Sequence, residues 1–95
     1  MSPDLPELVL YGRPGCHLCE EARAAVQSVL EDRASHGLPI PRVVERNIDT
    51  DEAWHRAYLE RIPVLELDGH RLELVVTYGK VRRILADALD GATLV

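Results

Sequence analysis

The sequence lacks the excess of positive charge that phosphate backbones attract: 11 Lys and Arg stand against 16 Asp and Glu, for a net charge of -5. A chain of that sign is repelled by nucleic acid and by anionic lipid, so neither is an expected partner. Long hydrophobic runs are missing as well. No run approaches the roughly 20 residues that span a bilayer, and the apolar stretch at 72–77 is interrupted by Glu73. The first residues, Met1-Ser2-Pro3-Asp4-Leu5-Pro6-Glu7, hold neither a basic nor an apolar segment. No secretory signal is read there, and the expected compartment is the cytoplasm. Cysteine is scarce, with two residues in the whole chain. A pair of thiols in a reducing compartment points to catalysis or metal binding rather than to a structural staple. Repeats, low-complexity tracts and linkers are also missing, so the 95 residues are expected to form one monomeric domain over 1–95, with 1–6 as a frayed lead-in.

What is present is a clear alternation of patterns. Residues 7–11 are nearly all apolar and stop at Gly12-Arg13-Pro14-Gly15, which fits a strand buried on both faces. Leu18, Ala22, Ala25, Val26, Val29 and Leu30 then recur at helical spacing, and Gly37 is placed to end that helix in the left-handed region. Residues 42–48 read as an edge strand. Asp49 followed by Glu52 resembles a capping box for a short helix with Trp54, Ala57 and Tyr58 on one side, ended by Pro63. Residues 64–67 and 70–76 read as two strands joined by a tight Asp68-Gly69 turn. Val81, Ile84, Leu85, Ala88 and Leu89 complete a last one-faced helix, with Gly91 as its stop. The order is βαβαββα. A strand, a crossover helix and a second strand give a parallel pair, and the closing hairpin adds antiparallel strands. The expected fold is therefore α/β, a four-stranded mixed sheet with helices on both faces.

The chemistry concentrates in Gly12-Arg13-Pro14-Gly15-Cys16-His17-Leu18-Cys19, where a Cys-x-x-Cys falls at a strand-to-helix junction. Thiol-disulfide exchange needs a thiolate at neutral pH, and a sulfur at a helix N-terminus faces unpaired N–H groups and the positive end of the dipole. Cys16 takes that position as the attacking thiolate. Cys19, three residues on and more buried, lies where it can attack a mixed disulfide formed at Cys16 and so act as the resolving thiol. Arg13 and a protonated His17 would favour the Cys16 anion, whereas Glu20 and Glu21 would oppose it.

These residues resemble the glutaredoxin family, on Tyr11-Gly12-Arg13-Pro14-Gly15-Cys16-His17-Leu18-Cys19 after the first strand and Arg61-Ile62-Pro63-Val64 before the third. The likeness spans roughly residues 7–89 and is greater to short bacterial glutaredoxin-like proteins. It implies a thioredoxin-like fold, a Cys16-Cys19 redox-active disulfide with no other bound cofactor, and glutathione or a reductase as the electron donor. It also implies that Pro63 is cis, that Ile62 offers backbone groups to a disulfide-bearing protein or small-molecule substrate, and that Arg13, at the family's basic position, belongs to the substrate site. His17 is counted with that site on its own place between the cysteines, as a tuning residue or a tolerated helix-start side chain. The sequence departs from the usual pattern in three places. His17-Leu18 stands for Pro-Tyr, Ile62 for the Val of Thr-Val-Pro, and Val75-Val76-Thr77 for the Gly-Gly that lets a peptide ligand approach the backbone.

Two other readings of the cysteines stand beside this one. A zinc site normally takes four Cys or His ligands, and His17, His36, His55 and His70 supply no His-x3-His pair while no second Cys-x-x-Cys exists, so no metal is expected. A metal or iron-sulfur binding module, or a redox sensor in which oxidation of Cys16 alters a surface, are the alternative functions on the same fold.

Overall fold

Alternation of side chains along the first strand explains how both faces of the sheet become covered. In a computed structural model, which describes residues 5–90, strand β1 (Leu8–Gly12) points Leu8 and Leu10 to one face, and Val9 and Tyr11 to the other. Helix α1 (His17–Ser35) follows, then β2 (Val43–Asn47), a 3-10 turn (Ile48–Thr50), α2 (Glu52–Tyr58), β3 (Val64–Leu67), β4 (His70–Glu73) and α3 (Tyr78–Leu85), which runs into a π-type turn (Ala86–Asp90). The strands lie in the order β2-β1-β3-β4. β2 runs parallel to β1, while β3 and β4 are antiparallel to their neighbours, so the sheet is mixed as expected.

Leu8, Leu10, Leu65 and Leu67 meet Ala22, Val26 and Val29 of α1 and Val81, Ile84 and Leu85 of α3, forming the larger core cluster. On the opposite face Tyr11, Ile48, Ile62 and Val64 pack with Trp54 and Tyr58 of α2. Arg46 of β2 closes this second layer. Its guanidinium lies 5.2 Å from the Trp54 ring centre and 5.7 Å from that of Tyr11, and it donates to the Tyr11 hydroxyl at 3.2 Å.

The helix ends obey local chemistry. Gly37 sits at φ 69°, and the N–H groups of Gly37 and Leu38 donate to the carbonyls of Ala34 and Arg33, closing α1 as a Schellman motif. Asp68 and Gly69 both have positive φ, as a type I′ hairpin turn requires.

Three expectations need correction. Asp49 does not cap α2: Asp51, with extended φ and ψ, accepts the Trp54 N–H at 3.0 Å, because the chain first makes a 3-10 turn that Asn47 caps. Ala57 is exposed rather than beside Trp54 and Tyr58 in the core. Strand β4 stops at Glu73 instead of reaching Val76. Leu74 turns to φ 67° and its N–H donates to the carbonyls of Pro63 and Arg61, while Val75 N–H closes a three-residue turn on Glu73 at 2.7 Å. Val76 leaves the sheet and joins the larger core. The stop expected at Gly91 lies outside the described residues.

One buried charge has no counterpart in the sequence reading. Arg33 is only 5% exposed; its Nε donates to the Pro39 carbonyl at 2.8 Å and its two terminal nitrogens to Asp90 at 2.7 and 3.0 Å. This bidentate pair ties the end of α1 to the chain after α3.

Candidate functional site

Parallel pairing with β2 extends β1 as far as Gly12, so the loop that follows emerges at the C-terminal end of this central strand, where α1 begins. Gly15, at φ 79°, turns that loop, and Cys16 enters the helix as its N-cap with φ -93° and ψ 109°. Its Sγ takes the place that a Ser or Asp oxygen usually fills and accepts the Cys19 N–H at 3.1 Å. The Cys16 carbonyl accepts from Glu20 N–H at 3.1 Å, so the first turn is formed around this residue.

Cys16 and Cys19 are joined as a disulfide with 5.2 Å between their Cα atoms. Cys19 is 9% exposed and belongs to the α2-side cluster; Cys16 is half-buried and packs against it. Gly12 explains why Cys19 fits. A Cβ at position 12 would stand 3.1 Å from both Cβ and Sγ of Cys19, tighter than nine in ten real Cβ contacts. On the α1–β2 side a cleft of about 370 Å3 reaches Gly12 and Cys19, walled by Arg23 and Glu45, which are paired at 2.8 Å.

Pro63 follows a cis peptide bond, as the family resemblance implies. Ile62 packs in the same cluster as Cys19. Its N–H, however, donates to the Tyr58 carbonyl at 3.0 Å and ends α2, so only the Ile62 carbonyl is left for another backbone. Among the described residues no backbone N–H reaches that carbonyl. Cys16 and Cys19, at the N-cap and in the first turn of α1, thus pack in one cluster with Ile62, which precedes the cis proline in the loop before β3.

The other two expected site residues are held by partners of their own. Arg13 Nε lies 3.3 Å from Asp49 Oδ2, and Asp49 Oδ1 lies 3.7 Å from His55 Nε2. The His17 side chain is 84% exposed and its Nε2 lies 2.9 Å from Glu21, one turn along α1. Gly12 and Leu74 were not singled out by sequence. A glycine that ends a strand looks the same in sequence whether it turns the chain or makes room for a sulfur, and nothing marks Leu74 as left-handed. Tyr58, whose ring stacks 4.5 Å from that of Tyr11, has its hydroxyl pKa raised above 10.0, first by burial and then by the Glu66 carboxylate. Among the described residues no group of three or more His, Cys, Asp and Glu is placed to hold a metal ion. Nor is any of their helices long and apolar enough to cross a membrane.

The family described as Glutaredoxin-like domain (DUF836) matches residues 7–94. No curated protein matches the chain. Among solved structures, that of protein XcR50 from X. campestris is 33% identical, with a TM-score of 0.68, over 85% of this chain and 97% of its own. Protein Ne2328 from Nitrosomonas europaea is 28% identical with a TM-score of 0.62, over 100% of this chain and 98% of its own. The germline thioredoxin Deadhead from Drosophila melanogaster is 19% identical with a TM-score of 0.61, over 90% of this chain and 83% of its own, a likeness of fold alone.

Proposed function

The chain belongs to the Glutaredoxin-like domain family, has the thioredoxin-like fold and carries the paired thiols of a redox protein; from that premise we propose that it is a dithiol thiol-disulfide oxidoreductase, with Cys16 attacking and Cys19 resolving. The observation that carries this reading is the Cys16 Sγ at the N-cap of α1, accepting the Cys19 N–H at 3.1 Å. An N–H donor and the positive end of a long helix both stabilise the sulfur more as a thiolate than as a thiol.

In the reduced protein the Cys16 thiolate attacks one sulfur of a substrate disulfide. The substrate S–S bond breaks, one half leaves as a thiolate, and the other stays bound to Cys16. Cys19 then loses its proton to solvent and attacks the Cys16 sulfur, forming the Cys16-Cys19 disulfide and releasing the second substrate thiolate. Two electrons have passed to the substrate. A thiol reductant such as glutathione, or a dithiol reductase, returns them, as a reducing cytoplasm would allow. Burial of Cys19 fits the resolving role, because it limits attack by this sulfur on disulfides in solution. The Ile62 carbonyl, beside the cis-proline, is the acceptor for a substrate backbone N–H.

The test is equilibration of the protein across a graded glutathione redox buffer, read by alkylation and intact mass. A reversible two-electron transition involving both cysteines is expected. Cys16→Ser should abolish exchange, whereas Cys19→Ser should accumulate a mixed disulfide at Cys16; equal, undiminished activity in both variants would refute the assignment.

A further inference from the structure

We propose that exposed aliphatic side chains beside the disulfide select the substrate: an extended polypeptide whose disulfide has an aliphatic side chain beside the cysteine, seated against Leu18, Leu74 and Val75. This rests on the exchange reaction above and names its substrate class. Leu18 stands between the two cysteines and is 45% exposed; Leu74 and Val75 are 45% and 53% exposed. The latter two are brought to the site by the backbone. Leu74 N–H donates to the Pro63 carbonyl at 2.9 Å and to the Arg61 carbonyl at 3.2 Å, which fastens the turn to both sides of Ile62-Pro63.

Two features set this rim apart from aliphatic residues scattered on a surface. Leu74 is held at φ 67°, a conformation that glycine takes freely and a leucine does not. Strain of this kind collects at functional sites, and here it falls on the residue whose N–H is bonded to the Pro63 carbonyl and whose side chain is left exposed. Ile62 adds one backbone acceptor, which an extended chain satisfies with a single N–H while its side chains lie on the rim.

The charges nearby argue against the other source of a disulfide, a glutathionyl group, whose two carboxylates would seek cations. Arg13 is paired with Asp49 at 3.3 Å and Arg61 with Glu73 at 3.5 Å, while Lys80 Nζ donates to the Val75 carbonyl at 3.4 Å. A disulfide flanked by leucine asks nothing of those groups and covers the apolar rim instead.

The experiment is single-turnover oxidation of the reduced protein, acid-quenched and read by intact mass. Three oxidants are compared: a peptide whose intramolecular disulfide has leucine beside each cysteine, the same peptide with serine in place of leucine, and glutathione disulfide. The native protein should react with the leucine peptide at least about fivefold faster than with the serine peptide. In Leu74→Gly, which relieves the left-handed strain and so should fold, that preference should fall below about twofold. Val75→Ser is the second variant and should move the ratio in the same direction. Equal rates with both peptides, a ratio unaltered in both variants, or fastest oxidation by glutathione disulfide would overturn the substrate class while leaving the exchange reaction intact. No oxidation of the native protein by any of the three would overturn the exchange reaction itself.

Discussion

Replacing Gly12 by alanine places a methyl carbon 3.1 Å from both Cβ and Sγ of Cys19. Ordinary contact needs several tenths of an ångström more, and Cys19 cannot yield by moving its backbone without disturbing the first turn of α1. Crowding of this kind in a packed core costs about 1–3 kcal/mol. The cost should not be the same in the two redox states. In the oxidised protein the Cys19 sulfur is fixed by its bond to Cys16, whereas in the reduced protein it can rotate about its own Cα–Cβ bond. The contact with Cys19 Cβ persists in both states, so only the part of the strain carried by the sulfur is specific to the oxidised one. The reduction potential therefore rises by at most roughly 20–60 mV, since 30 mV corresponds to about 1.4 kcal/mol for a two-electron couple. The assay pairs a redox titration of Gly12→Ala in glutathione buffers with urea unfolding of its oxidised and reduced forms. The oxidised form should lose more stability than the reduced form, by the amount the potential records. An unchanged potential, or equal losses in both forms, would refute the reasoning that Gly12 is there to admit the Cys19 sulfur.

Other consequences can be measured separately. Asp90→Ala leaves the Arg33 guanidinium buried without its bidentate partner and should cost about 2–4 kcal/mol in urea unfolding; a loss under about 1 kcal/mol would show that Asp90 is expendable. The Tyr58 hydroxyl ionises above its ordinary 10.0 in the folded chain, so the folded state holds that proton more tightly than the unfolded state does. Its contribution to stability is complete below pH 10 and is lost as pH rises through the folded value. Unfolding measured from pH 9 upward should fall less steeply in Tyr58→Phe than in the native protein, and identical slopes would contradict this.

Much of the fold could be read because local pattern and tertiary need agree. Leu18, Ala22, Val26 and Val29 lie on one helical face, and three of them are buried where that face meets the sheet; Leu18 is the exception and stands at the site. Gly37 and Asp68-Gly69 turn the chain where their residue types allow it. The cysteine pair was legible because a strand, a glycine-rich loop and a helix surround it. What escaped depends on contacts far apart in sequence. The short helix is capped by Asp51 rather than Asp49, because Asp49 is taken up in the 3-10 turn that Asn47 caps, where its carboxylate meets Arg13 and His55. β4 ends three residues early because Leu74 N–H is claimed by Arg61 and Pro63, a bond invisible to period-two alternation. Arg33 on a helix looks like a solvated charge until Asp90 is folded against it. Arg13 and His17 also have partners that spacing does not show: Arg13 pairs with Asp49 while lining the cleft that reaches Cys19, and His17 pairs with Glu21.

The strand order β2-β1-β3-β4 leaves two open sheet edges, and both carry charge. β2 bears Glu45 and Arg46; β4 bears Arg71 and Glu73. Unpaired strand edges invite pairing with another chain, and charged side chains along them oppose it, because pairing would cost them part of their hydration. A protein that exchanges disulfides passes repeatedly through states covalently joined to unfolded or extended segments. In the exchange reaction proposed above, charged edges would keep those encounters at the sulfur and away from the sheet, so that a bound segment departs with its thiol instead of adding itself as a fifth strand.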